Sequence, residues 1–349
     1  MKIMHITWSL NTGGIETMLI NIANEQIANN HEVYVVILNN VINSQIASSL
    51  DTSGHLICFN RKAGSKNPLP ILRMNIYLLK LRPDVIHIHD RFIIKTLLPI
   101  FRHKLCLTVH DTIRDNCNCL YFDKFHKIFS ISNSVKDSLY KKAHVNSDVV
   151  LNGIKVHSIK NINTKSNEHF EIVQVGRLLH TKKGQDILLN ALHILVQKGY
   201  TNLRLTFIGD GPSRKYLEDL CNNLHLNGYV TFLGDKSQEF IFENLCKFNL
   251  FVQPSIYEGF GLTVAEAIAA KVPVLVSANE GPLEIIENGK YGYVFENKNI
   301  KDCAIQIENI LKNYNQIKNE ITPAAYKHIS ELYDVKNTAI NYIEKYKTI

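Results

Sequence analysis

The sequence predicts an α/β protein of two doubly wound parallel-sheet domains facing each other across a cleft, and three observations carry that prediction. The chain has 349 residues, more than one compact core ordinarily organises. Short apolar runs alternate with helical patterns along it, the order of a parallel sheet covered on both faces. The alternation breaks once, at the polar and patternless stretch Ile159–His169 (IKNINTKSNEH), and then restarts. Domains are expected at 1–160 and 161–325, with 326–349 a helix crossing back to the first domain.

The elements follow in order. Ile3–Trp8 reads as a strand, followed by a glycine turn and a helix over Glu16–Asn29. Glu32–Leu38 and His55–Phe59 are strands, and Pro70–Leu81 is a helix that Pro83 stops. Val85–His89, Leu105–His110 and Lys127–Ser132 are short apolar strands bounded by polar residues. Beyond the polar stretch come strand Glu171–Val175, helix Gln185–Gly199, strand Leu203–Ile208, helix Ser213–Leu224 and strand Tyr229–Leu233. A helix near Glu239–Cys246, strand Leu250–Gln253, a helix at about Thr263–Ala270 and strand Val272–Val276 complete the second set. Thr322–Tyr346 reads as helical. Ligands of such sheets bind at the carboxyl ends of the strands.

Composition excludes several classes. With 45% hydrophobic and 20% charged residues the chain has material for packed cores. No apolar run approaches the roughly 20 residues of a membrane helix. MKIMHITWSL reads as a strand and lacks the features of a secretion signal. Seven cysteines form no CxxC, and Cys117-Asn118-Cys119 has no partners for a zinc site. A reduced, cytoplasmic protein is expected. The net charge of +7 is uneven: residues 1–155 hold 18 Lys/Arg against 11 Asp/Glu, and residues 156–349 hold 21 against 21. A one-sided basic field suits an anionic surface or substrate.

Several motifs fall at expected strand ends. Gly13 and Gly14, in NTGGIE, let the backbone approach a ligand in front of a helix whose amides favour negative charge. Arg177 is followed six residues later by Lys183, in GRLLHTKKG, and two cations around a turn can clamp a diphosphate. Gly209, in GDGP, ends another strand. Glu258 and Glu266 bracket the turn Gly259, Phe260, Gly261, Leu262 and Thr263, with Thr263 placed to cap the next helix. A carboxylate inside LTVAEAIAA is not there for packing and can accept the vicinal hydroxyls of a sugar. His87 and His89 share one face of their strand, and with His110 and Asp111 they invite either a metal reading or one of satisfied structural histidines. No Asp-x-Asp pair occurs, in keeping with a cationic clamp.

Taken in order, GGIE, HIHD, TVHD, ISNSVKDSL, LNGI, VGRLLHTKKG, FIGDGP, FLG, EGFGLTVAE and GPLEIIENGKYGYVFE resemble the retaining family-4 (group 1) glycosyltransferases of GT-B architecture, whose domains are Rossmann-like. The resemblance implies that Arg177 and Lys183 hold a donor diphosphate without a metal or other cofactor. Backbone of Gly13, Gly14 and the Gly259–Thr263 turn would contact phosphates or sugar hydroxyls. Glu258 would bind the donor sugar and Glu266 the ribose, with the base against the loops at Gly209 and Gly234. His110 matches the family's active-site histidine. With no evident covalent nucleophile, a front-side displacement is implied. The Arg-to-Lys spacing is six where many members have five, so Lys182 or Lys183 could reach the phosphate; Lys183, before Gly184, is preferred.

The activity implied is transfer of a hexose or N-acetylhexosamine from a nucleotide sugar, a UDP-sugar by family frequency, to a glycan or polyprenyl-pyrophosphate-linked acceptor in surface polysaccharide synthesis. Nucleic acid is not an expected partner. The basic loop Arg61, Lys62 and Lys66, a following helix with Arg73, Lys80 and Arg82, and the mixed segment Arg91–Lys104 make contact with the inner membrane surface an expectation. Two other readings compete: a metal-dependent hydrolase built on His87, His89, His110 and Asp111, and a non-catalytic nucleotide-sugar-binding protein. A nucleotide-sugar epimerase has no support from the paired glutamates.

Overall fold

The computed structural model describes residues 1–11, 13–113, 120–162 and 168–349; Thr12, Cys117, Cys119 and part of the polar stretch 159–169 lie outside them. Contacts divide the described chain into two units, residues 1–153 with 334–349, and residues 154–333.

The first unit opens with β1 (Lys2–Thr7), α1 (Gly14–Ala28), β2 (Glu32–Asn39), α2 (Ser44–Ser48), β3 (His55–Arg61) and α3 (Leu69–Leu81). It continues with β4 (Val85–Ile88), β5 (Leu105–Val109), β6 (Lys127–Ser130), α4 (Asn133–Ala143) and β7 (Asp148–Val149). The seven strands are parallel in the order β3-β2-β1-β4-β5-β6-β7. β2 is a run of branched apolar residues buried from Val33 to Leu38, as a strand covered on both faces must be. α3 stops at Arg82, in the left-handed region just before Pro83, where the ring disfavours helical backbone. The segment Arg91–Lys104 forms two 3₁₀ turns, Arg91–Thr96 and Pro99–Lys104.

The second unit holds β8 (Phe170–Val175), α5 (His180–Lys183), α6 (Gln185–Gln197), β9 (Leu203–Ile208), α7 (Arg214–Asn223), β10 (Val230–Phe232) and α8 (Gln238–Asn244). It ends with β11 (Leu250–Gln253), α9 (Leu262–Ala269), β12 (Val274–Ser277), α10 (Glu280–Ile285), β13 (Tyr293–Phe295), α11 (Ile300–Lys312) and α12 (Tyr314–Leu332). Its six strands are parallel in the order β10-β9-β8-β11-β12-β13. α6 buries Ile187, Leu188, Ala191, Leu192 and Leu195 on one broad face. These join Leu205, Phe207, Leu250, Val252 and Ile307 in the core. The expected helix Thr322–Tyr346 is two helices, because the chain leaves the helical path at Tyr333 and restarts as α13 (Val335–Tyr346). Asp334 caps α13 by accepting the Lys336 N–H at 2.9 Å, and α13 belongs to the first unit.

In each sheet the strand order reverses between neighbours, β1 and β4 in the first unit and β8 and β11 in the second. The loops leaving those strands diverge and open a crevice at their carboxyl ends.

Candidate active site

In the second unit the crevice is bounded by the chain after β8 and after β11. Gly176 and Arg177 follow β8; Arg177 is exposed, and its carbonyl accepts from the Gln185 side chain at 3.1 Å. α5 then carries Lys183 inward, where its ammonium pairs with the Glu258 carboxylate. Lys182 takes another course, its ammonium 5.0 Å from the centre of the Tyr257 ring. Lys183 therefore stands with the glutamate. Gly184 has φ +63°, and a side chain there would begin 2.0 Å from the Pro254 carbonyl oxygen. The turn that aims Lys183 packs directly on the end of β11.

Buried polar groups hold the Glu258 loop. Gln253 donates to Ser255 at 2.8 Å, and Asn279 accepts the Glu258 N–H at 3.3 Å while donating to the Ser255 carbonyl at 3.1 Å. Ser277 donates to that same carbonyl. Sequence reasoning passed over Gln253, Ser255, Ser277 and Asn279; their signal is polarity at the ends of apolar strands. Gly281, in the GPLEII motif, lies where a side chain would begin 2.6 Å from the Glu258 carbonyl oxygen and the Phe260 nitrogen.

The cap expected from Thr263 is not formed. Gly261, at φ +104°, is the N-cap of α9, without a side-chain hydrogen bond, and Thr263 is already inside the helix. Gly261, without a side chain and in left-handed backbone, takes the cap position, so the Thr263 hydroxyl falls too far into α9 to cap it. Gly259 and Phe260 are buried, with the Phe260 ring 5.7 Å from Tyr333, and Leu262 and Thr263 are half-buried. Glu266 lies in the second turn of α9 and is buried. Burial pushes its carboxyl up to about 7, against a lowering from the Gln238 side chain. Gly209 follows β9 at φ +130°, where a side chain would begin 2.3 Å from the Gly176 carbonyl oxygen. Its N–H donates to Gly234 at 2.9 Å. Gly209 and Gly234 thus stand at adjoining strand ends, and Gly209 packs on the glycine that precedes Arg177.

The first unit gathers imidazoles. His5 on β1 is in register with His87 on β4, and His89 follows on the same face. His5 Nε2 bonds Gln26 at 2.8 Å, His5 Nδ1 bonds His89 Nε2 at 3.1 Å, and His89 Nδ1 bonds His110 Nε2 at 3.1 Å. His87 bonds Tyr346 at 2.5 Å and Thr108 at 2.7 Å. Three of these, His5, His87 and His89, have ring nitrogens within 4.8 Å of one another, as a metal site would. All six of their nitrogens already have partners, however, which makes them satisfied structural side chains. Burial lowers His5 and His110 to about 4, and His87 and His89 well below the usual imidazole value. His110 is a neutral ring at neutral pH, and its Nδ1 is buried with no partner among the described residues.

Gly13 caps α1 with extended backbone, and Gly14 is its first residue. A carboxylate already occupies that turn, since a side chain on Gly13 would begin 2.5 Å from a Glu16 oxygen. Burial raises the Glu16 carboxyl. In the basic loop, Arg61 is turned inward: its guanidinium donates to the Ser65 carbonyl and, at 3.3 Å, to Asn39. Lys62 and Lys66 are exposed.

Two parallel α/β units with a cation–carboxylate site at the switch point of the second define a glycosyltransferase of GT-B fold, and comparison agrees. Residues 12–157 match Glycosyltransferase Family 4 and residues 156–328 match Glycosyl transferases group 1. The chain belongs to the group 1 glycosyltransferases. An uncharacterised glycosyltransferase of Methanocaldococcus jannaschii is 29% identical over 297 residues, 76% of this chain and 75% of that protein. The capsular polysaccharide biosynthesis glycosyltransferase CapM of Staphylococcus aureus is 30% identical over 203 residues, 53% of this chain and 52% of that protein. The fold matches that of Anabaena HepE in complex with UDP and glucose, with TM-score 0.83 over all of both chains at 18% identity. Membership in this family sets aside the metal-dependent hydrolase.

Proposed function

We propose that the protein is a retaining, metal-independent glycosyltransferase that moves a hexose or N-acetylhexosamine from a UDP-sugar to a lipid-linked glycan acceptor in surface polysaccharide synthesis. The observation that carries this reading is the Lys183–Glu258 pair at the switch point of the second sheet, with Arg177 exposed just after β8. Arg177 and Lys183 bind the diphosphate and stabilise the charge that grows on it as the sugar leaves, work that other enzymes give to a divalent ion. Glu258 turns from Lys183 to the sugar hydroxyls, and Glu266 accepts from the ribose. The amides at the start of α9, with Gly259 and Gly261 leaving the backbone open, face the donor. Nucleotide capture by Gly13 and Gly14 requires Glu16 to withdraw.

In the reaction the acceptor hydroxyl oxygen bonds to the anomeric carbon on the face from which UDP departs. The bond from that carbon to the β-phosphate oxygen breaks, and that oxygen takes the acceptor proton. His110 is a neutral contact for the sugar and not a general base, since its imidazole is held down to about 4. The capsular role of CapM and the UDP and glucose bound to HepE support the surface-polysaccharide and UDP-sugar parts of the reading. Proton NMR of the product tests the stereochemistry: an α-linked product from an α-linked UDP-sugar is expected, and a β-linked product would overturn retention.

A further inference from the structure

We propose that the outward face of α3, joined by the turns after β4, is a docking surface for an anionic lipid bilayer. α3 buries Met74, Asn75 and Leu78. Its opposite side exposes Leu69, Leu72, Ile76 and Leu79, each between 44 and 56% accessible. Spacings of three, four and three put these four on one stripe. Leu98 and Ile100, on the turns after β4, are exposed too, Ile100 being 62% accessible. Asn75 fastens the two parts together, donating to the Thr96 carbonyl at 2.7 Å and accepting the Leu98 N–H at 2.9 Å. A single exposed leucine is ordinary, but four large apolar side chains on one stripe, with two more exposed on the turns fastened to that helix, mark an interaction site.

The charge around the stripe selects the partner. No carboxylate occurs between Asp51 and Asp84, or between Asp90 and Asp111, and these two stretches hold six and four Lys/Arg. The other residues of 1–155 hold 8 Lys/Arg against 11 Asp/Glu, so the whole basic excess of that half is here. Arg73 and Lys80, both exposed, each follow a residue of the stripe and border it. A helix with an apolar face and a basic border lies in the plane of a bilayer, its leucines at the acyl boundary and its cations among anionic headgroups. A second copy would bring Arg73 and Lys80 against their own like charges on this face. The inference deepens the reading of a lipid-linked acceptor by naming the surface that brings the enzyme to it.

The test is sedimentation of the full chain with vesicles of phosphatidylglycerol and phosphatidylethanolamine, and with vesicles of phosphatidylcholine alone. Two variants are compared, Leu72→Ser/Ile76→Ser and Arg73→Glu/Lys80→Glu. Circular dichroism and thermal midpoints establish that both fold, as exposure of all four side chains predicts. The wild type should partition onto the anionic vesicles, and each variant should lose at least about 10-fold of that partition. UDP-sugar hydrolysis in vesicle-free buffer should be unchanged. Absence of wild-type binding to anionic vesicles, or both variants binding as well as the wild type, would overturn the proposal. So would a wild-type dimer that Leu72→Ser/Ile76→Ser dissociates. Expected partitioning without hydrolysis of any donor would support the docking surface and count against the UDP-sugar reading.

Discussion

Lys183 and Glu258 hold one another, so the proposed function has a donor divide the pair, taking the ammonium to its diphosphate and the carboxylate to its sugar. Charge-assisted hydrogen bonds contribute about 1.5–3 kcal/mol each. Lys183→Gln should therefore weaken UDP binding about 10- to 100-fold by calorimetry, whereas Lys182→Gln, which removes the cation from Tyr257, should leave it nearly unchanged. Glu266 gives a pH signature. Its carboxyl is held up to about 7 in the fold, above its value in an unfolded chain, so the folded state binds the extra proton. Its stabilising contribution is complete below the unfolded value and is lost as pH rises through about 7. Denaturant midpoints should accordingly fall over that window in the wild type and fall less in Glu266→Gln. UDP, if its ribose hydroxyls donate to the ionised carboxylate, should bind more tightly as pH rises through the same window. Arg177, Lys183, Glu258 and Glu266 were legible in the sequence because charge beside glycine, or inside an apolar run, has few structural uses. His5 was not, because one histidine in MKIMHIT has no meaning until β4 lies in register beside it.

At the scale of elements, α13 is the piece whose start the sequence hid. A helical pattern across Thr322–Tyr346 reads as continuous, and only the turn at Tyr333 and the cap from Asp334 separate it into members of two units. Asp334→Ala should cost about 1 kcal/mol, seen as a lower denaturation midpoint. Because Tyr342 and Tyr346 of α13 bond Thr108 and His87, hydrogen exchange at β4 and β5 should rise with it. The long apolar strands and α6 are readable from period alone. So is α11, with Cys303, Ala304, Ile307 and Ile310 on its buried face, although the sequence reading left it unassigned. β7 and β13 have two and three residues, too few to show an alternation, and exist because a neighbouring strand offers them a ladder. The Thr263 cap failed for a related reason: a glycine in left-handed backbone can start a helix without a capping side chain.

Over the whole molecule the chemistry divides between the units. The second unit holds Arg177, Lys183 and both glutamates, with 19 Lys/Arg against 19 Asp/Glu across residues 154–333. The first holds the imidazole row, the Gly13–Gly14 turn and all of the basic excess. No helix among the described residues is long and apolar enough to cross a membrane. The proposed function has Lys183, Arg177 and Glu258 activate a nucleotide sugar without a metal ion. It is tested most directly by nucleotide release from a panel of UDP- and GDP-sugars, with EDTA present and a lipid-linked acceptor extract added. Release of UDP from one donor, indifferent to EDTA and lowered at least about 100-fold by Glu258→Ala, is the predicted result. Release that stops with EDTA and returns with a divalent ion, or that survives Glu258→Ala at full rate, would contradict it.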